Sequence, residues 1–166
     1  MFDPHDLIAA LATARVDYIV IGGFAVGAHG FPRATGDLDI VPDPSPGNLE
    51  RLAAALRDLE AVNHGAGDFD PAEFPFDPLV PSQLAEGGNF LLMTRAGRLD
   101  VMQWVPGIPG DTAYPQLRAG AVATTLGGHE ISVCSHGDLV TMKRAAGREQ
   151  DLVDLRALGI TDVGAP

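Results

Sequence analysis

Cysteine is nearly absent: Cys134 is the only one in 166 residues. No internal disulfide can form, which fits a reducing cytoplasm, and within Ile131-Ser132-Val133-Cys134 the thiol reads as a small buried side chain. Lysine is equally scarce. Lys143 stands alone beside ten arginines, and a compact point charge is chemically distinct from a planar guanidinium. No stretch approaches the roughly 18 apolar residues that a membrane-spanning helix needs, so no membrane partner is expected. Met1-Phe2-Asp3-Pro4-His5-Asp6 lacks the basic region of a signal peptide. Positive charge is in deficit, with 11 Lys and Arg against 22 Asp and Glu and a net charge of −11. That argues against a general nucleic-acid-binding module. A local patch of Arg33, Lys143, Arg144 and Arg148 still leaves a tRNA end open as a substrate. The five histidines are scattered without metal-ligand spacing, and His29 reads as structural.

The remaining composition, 46% hydrophobic and 20% charged, is that of a globular protein. The length fits one domain, 1–166, with a core over about 17–158. Asp17-Tyr18-Ile19-Val20-Ile21 is a short apolar run with strand character that ends at the pair Gly22-Gly23. The pair permits a sharp turn and puts no Cβ against a ligand. Phe24 to His29 has helical character, and a helix start offers unpaired N–H groups to an anion. Alone, a strand, a glycine turn and a helix start are common.

The next strand is more informative. In Asp37-Leu38-Asp39-Ile40-Val41, alternation puts Leu38 and Ile40 on one face and both aspartates on the other, with Cβ atoms roughly 6–7 Å apart. Paired carboxylates repel, and a divalent cation between them removes the repulsion. Read alone, Asp-x-Asp also fits the solvent face of an edge strand. The preceding glycine pair favours the metal reading.

Gly22, Gly23, Gly30, Arg33, Thr35, Asp37 and Asp39 together resemble the signature of the DNA polymerase β-like nucleotidyltransferase superfamily, nearest to small bacterial proteins related to abortive-infection, toxin–antitoxin nucleotidyltransferases. The resemblance runs from about Asp17 to Leu158. It implies an α/β (α+β) nucleotidyltransferase fold, a mixed twisted sheet flanked by helices. It also implies that Asp37 and Asp39 hold Mg2+ (or Mn2+) carrying a nucleoside triphosphate, and that a third carboxylate completes the site. Asp100, in the strand Arg98-Leu99-Asp100-Val101-Met102-Gln103-Trp104, is the candidate. Exposure to solvent or pairing with Arg98 would also account for it. Many relatives have Gly-Ser where this chain has Gly22-Gly23, so a serine contact to phosphate is missing.

The segment from Leu139 to Leu155 resembles a Lys-x-x-Ala-x-x-Arg-x-x-Asp-x-x-Asp pattern in the same relatives. It implies that Lys143 lies on the phosphates while Arg148, Asp151 and Asp154 order the helix and the wall of the site. If that helix is continuous, Lys143, Gly147, Asp151 and Asp154 share one face. A solvated helix with an Arg148–Asp151 pair is the alternative. The nucleotide-binding set is thus Gly22, Gly23, Arg33, Thr35, Lys143, Arg148 and Asp151. The catalytic set is Asp37, Asp39, Asp100 and Lys143.

Elsewhere, Asp3-Pro4 predicts a helix to about Ala14, and Ser45-Pro46 predicts one to about Ala61. Residues 62–81 read as a long irregular loop, either a lid or acceptor wall or a connector anchored by Phe69, Phe74 and Phe76. Arg95-Ala96-Gly97 and Gly127-Gly128 predict hairpins. A short helix falls near Gln116 to Arg118, and Ser135 caps the C-terminal helical region. The expected activity is metal-dependent transfer of NMP from an NTP to an acceptor hydroxyl on a tRNA end, protein or small molecule. A non-catalytic partner of a cognate toxin or antitoxin, or an antibiotic-modifying enzyme, is the alternative.

Overall fold

The computed structural model describes residues 2–64 and 76–162. Its elements follow as α1 (Pro4–Thr13), β1 (Tyr18–Val20), α2 (Gly22–Ala28), β2 (Asp37–Pro42), α3 (Pro46–Asp58), β3 (Val62–Asn63), α4 (Pro81–Ala85), β4 (Asn89–Thr94), β5 (Gly97–Met102), α5 (Tyr114–Gly120), β6 (Val122–Leu126), β7 (His129–Val133), α6 (His136–Ala146) and α7 (Glu149–Ala157). The strands form one mixed seven-stranded sheet in the order β3-β4-β5-β2-β1-β7-β6. β2–β5 and β1–β7 pair in parallel, and the other neighbours pair antiparallel.

Local chemistry sets most boundaries. Asp3 accepts hydrogen bonds from the backbone N–H groups of His5 and Asp6, and Pro4 fills the first turn of α1, where its missing N–H costs nothing. Leu7, Ile8 and Leu11 then fall on one face of α1 and are fully buried. Ser135 caps α6 by accepting from Asp138 N–H. Leu38 and Ile40 of β2 are fully buried, each worth roughly 1.5–3 kcal/mol relative to exposure. Asp37 and Asp39 stand half-buried on the opposite face, as alternation requires.

Several expectations are corrected. α2 starts at Gly22 rather than Phe24, α3 ends at Asp58 rather than Ala61, and β5 stops at Met102, short of Trp104. Within 62–81, Val62–Asn63 pairs with β4, so the segment is not wholly irregular. The lid-or-connector question, with Phe69 and Phe74, lies at 65–75, outside the described residues. The C-terminal helix is not continuous. Gly147 adopts a left-handed conformation (φ +62°) that closes α6, and Arg148 is extended before α7 begins. No helix among the described residues is long and apolar enough to cross a membrane.

Candidate active site

β2 and β5 run parallel at the centre of the sheet, and their register places Asp39 opposite Asp100 and Asp37 opposite Arg98. Two strands far apart in sequence thereby bring three carboxylates to one face. Oxygens of Asp37, Asp39 and Asp100 all lie within 4.8 Å of one another. Asp100 is buried, and its Oδ1 has no hydrogen-bond partner. Its Oδ2 accepts from Arg98 Nη2 at 3.2 Å, and the same nitrogen is 3.9 Å from Asp37 Oδ2. The Arg98–Asp100 pairing expected as an alternative to a site role therefore exists, and it lies inside the site.

Burial and neighbouring charge alter two of these carboxyls. Burial, followed by the charges of Asp37 and Asp100, pushes the Asp39 carboxyl up to about 7 against the opposing pull of Lys143 and Arg148. Burial pushes Asp100 up to about 6, with Arg98 opposing and Asp37 adding to it. Such a set of crowded, desolvated carboxylates with an unpartnered oxygen suits a hard divalent cation, which takes oxygen ligands. On that ground the residues fit a divalent metal ion.

The glycine pair has a role that its phosphate-seat reading did not include. A Cβ on Gly22, whose φ is +65°, would stand 1.9 Å from Asp39 Oδ2, and one on Gly23 would stand 2.7 Å from Thr35 Oγ1. Both glycines give room to side chains of the signature segment. Thr35 Oγ1 in turn donates to Asp37 Oδ1 at 2.8 Å, which orients that carboxylate.

Across from the carboxylates lies a cationic wall. Lys143 is buried, with Nζ 2.8 Å from Asp151 Oδ1 and 2.7 Å from Asp154 Oδ2. Arg33 makes a bidentate pair with Asp154, Nε to Oδ1 at 2.7 Å and Nη2 to Oδ2 at 3.0 Å. Arg148 donates from Nε to Asp151 Oδ2 at 2.7 Å while its side chain stays largely exposed. The helix break at Gly147 makes this possible, because α7 folds back so that Asp151 and Asp154 meet Lys143 across the corner rather than along one face. For Asp151, burial favours the neutral acid, but bonds from Arg148 and Lys143 outweigh it and hold the carboxyl below its usual range. Asp154 follows the same pattern, with Arg33, Lys143 and Gln150 outweighing burial.

Between the two walls is a cleft of about 670 Å³, bordered by Gly22, Gly23, Arg33, Thr35, Asp37, Asp39, Asp100, Lys143, Arg148 and Asp151. The residues of the catalytic and nucleotide-binding sets therefore border one space, whereas Gly30, Arg144 and Asp154 do not line it. Asp154 stands behind them, where it holds Arg33 and Lys143. Sequence reasoning missed Arg98 as a member and missed Gln150, which lines the cleft and donates to Asp154 Oδ1. The signal for Arg98 was present, since a residue two before Asp100 shares its strand face. His29 is structural, as expected: its Nε2 lies 2.8 Å from the Cys134 carbonyl oxygen, and Cys134 is fully buried.

No family model matches the chain, and no curated protein matches it by sequence. Solved structures do match. The lincosamide antibiotic adenylyltransferase LnuA, with lincomycin bound, superposes at a TM-score of 0.60 with 16% identity, over 96% of this chain and 99% of that one. The solution structure of the antibiotic-resistance factor ANT(2″)-Ia gives 0.57 and 16%, over 96% and 82%. ANT(2″)-Ia in complex with adenylyl-2″-tobramycin gives 0.55 and 15%, over 96% and 87%. The mixed sheet, its flanking helices and these superpositions establish that the chain has the fold of these nucleotidyltransferases.

Proposed function

We propose that the chain is a metal-dependent nucleotidyltransferase that moves a nucleoside monophosphate from an NTP to a hydroxyl of a small-molecule acceptor. The observation that carries this reading is the convergence of three carboxylate oxygens within 4.8 Å, one of them buried and unpartnered, opposite a wall of Arg33, Lys143 and Arg148. Asp37, Asp39 and Asp100 would hold magnesium or manganese, which supplies charge neutralisation on the triphosphate and polarises the phosphorus under attack.

The chain's own groups do the rest. Arg148 and Arg33 present guanidinium groups to phosphate oxygens, and Lys143 keeps both anchored through Asp151 and Asp154 while adding its own charge. The Asp100 carboxylate takes the proton of the acceptor hydroxyl as the hydroxyl oxygen bonds to the α-phosphorus. The bond from the α-phosphorus to the bridging oxygen breaks, and pyrophosphate leaves. Catalysis is then mainly positioning and electrostatic stabilisation.

The small-molecule acceptor is supported by two considerations. One structural neighbour named above is a lincosamide antibiotic adenylyltransferase with lincomycin bound and another holds adenylyl-2″-tobramycin, and a net charge of −11 disfavours a long polyanionic acceptor. The test is incubation with α-labelled NTPs, magnesium, and separately lincomycin, tobramycin, tRNA and cell protein. Label on a small molecule supports the reading, and its absence with Asp37→Ala/Asp39→Ala ties it to the site. Label on a tRNA end or a protein would overturn the small-molecule acceptor and favour a toxin-type role. No label in any fraction would favour a non-catalytic partner of a toxin–antitoxin pair.

A further inference from the structure

Arg98 is a cation built into the carboxylate cluster. The parallel register of β2 and β5 sets it beside Asp37, and its place two residues before Asp100 sets it on that residue's face. Its Nη2 reaches Oδ2 of both Asp100 and Asp37. Two atoms of opposite polarity remain buried and unpartnered at this point, the donor Arg98 Nε and the acceptor Asp100 Oδ1. Unsatisfied buried groups are costly, so each favours a ligand that satisfies it. An anion would satisfy the first and a cation the second.

Resting on the metal reading above, the geometry points to Arg98 as the residue that sets how many divalent ions the cluster takes: one while Arg98 holds Asp100, and a second only when the triphosphate arrives. Within the cluster, three carboxylates against the Arg98 guanidinium leave two negative charges, which a single divalent ion neutralises, and Lys143 and Arg148 add positive charge from across the cleft. A second ion would then meet a neutral cluster and a competing guanidinium. The polyphosphate reverses both conditions, because it adds negative charge and offers Arg98 Nε the oxygen it lacks, which draws the guanidinium from Asp100. Arg98 is thus a positioning residue, and its effect is read in ion stoichiometry rather than in turnover alone.

The experiment titrates metal-stripped full-length protein with Mn2+ at pH 8, counting bound ions from the free-ion paramagnetic resonance signal. Wild type is expected to bind one ion, and two after addition of a non-hydrolysable ATP analogue. Arg98→Met is expected to bind two ions without nucleotide, or the first about ten-fold tighter, the size of one charged hydrogen bond. Arg98→Lys retains the charge and is expected to stay at one ion; Arg98→Gln removes the charge and serves, with the outcome expected of Arg98→Met, if Arg98→Met does not fold. Two ions on nucleotide-free wild type, or unchanged binding in Arg98→Met, would overturn the role of Arg98 and leave the metal site standing. No Mn2+ on wild type or any variant would overturn the metal site and this inference together.

Discussion

The point where a Cβ on Gly22 would sit lies 1.9 Å from Oδ2 of Asp39. The helix start and the carboxylate thus compete for the same space, and only glycine gives it to the carboxylate. Gly22→Ala is expected to displace Asp39, abolish Mn2+ binding and destabilise the fold by about 1–3 kcal/mol through left-handed strain. Gly30 is the control. Its φ of +98° would strain an L side chain, yet nothing lies within 4 Å of its would-be Cβ. Gly30→Ala should lose stability and keep Mn2+ binding. Equal ion binding in wild type and Gly22→Ala would refute the clearance role.

Lys143 pairs with two buried carboxylates at once, each of which also has an arginine partner, Arg148 on Asp151 and Arg33 on Asp154. Losing its two charged hydrogen bonds costs roughly 3–6 kcal/mol. Lys143→Met should lower stability by that order in chemical denaturation. A loss below about 1 kcal/mol for Lys143→Met, the range of a surface pair, would show that the network is not buried in solution.

The carboxylate cluster predicts an unusual pH dependence for the metal-free protein. Asp39 and Asp100 have folded-state values raised to about 7 and about 6. The stability tied to a raised carboxyl is fully present below its unfolded value of about 4 and is lost as pH rises through the folded value. Asp151 and Asp154 are held low, so their contribution is present above about 4 and is lost on further acidification. The metal-free protein should therefore melt highest near pH 5 and lower at pH 8, and Asp39→Asn should raise the melting temperature at pH 8. Mn2+ should stabilise far more at pH 8 than at pH 5, where protons occupy its ligands. Melting curves that are flat from pH 5 to pH 8 would contradict the crowding of the three carboxylates.

How much of this was legible in the sequence depended on distance along the chain. Gly22-Gly23, Thr35 and the alternating Asp37 and Asp39 announce themselves because strand alternation is a local rule. The hairpin at Gly127-Gly128 was legible for the same reason, and β6 and β7 pair across it. The opposition of Asp39 and Asp100 was not, since a parallel register between β2 and β5 is set by the packing of the whole sheet. Resemblance to relatives, rather than spacing, singled out Asp100. The C-terminal residues were identified while their geometry was misjudged. Lys143, Asp151 and Asp154 do converge, but through a break at Gly147 whose left-handed turn overrides the helical spacing. Arg98 was noticed only as a rival explanation for Asp100, because one strand in isolation does not show that Asp37 stands on its other side.

Under the proposed function, Asp37, Asp39 and Asp100 hold a metal-bound triphosphate against Arg33, Lys143 and Arg148. Calorimetry with a non-hydrolysable ATP analogue, with and without Mn2+, tests it most directly, with GTP, CTP and UTP analogues run in parallel. Saturable binding of at least one analogue that requires Mn2+ and disappears in Asp37→Asn/Asp39→Asn is the predicted result. Absence of binding by every analogue to folded wild-type protein, or Mn2+-independent binding that survives the double substitution, would contradict it.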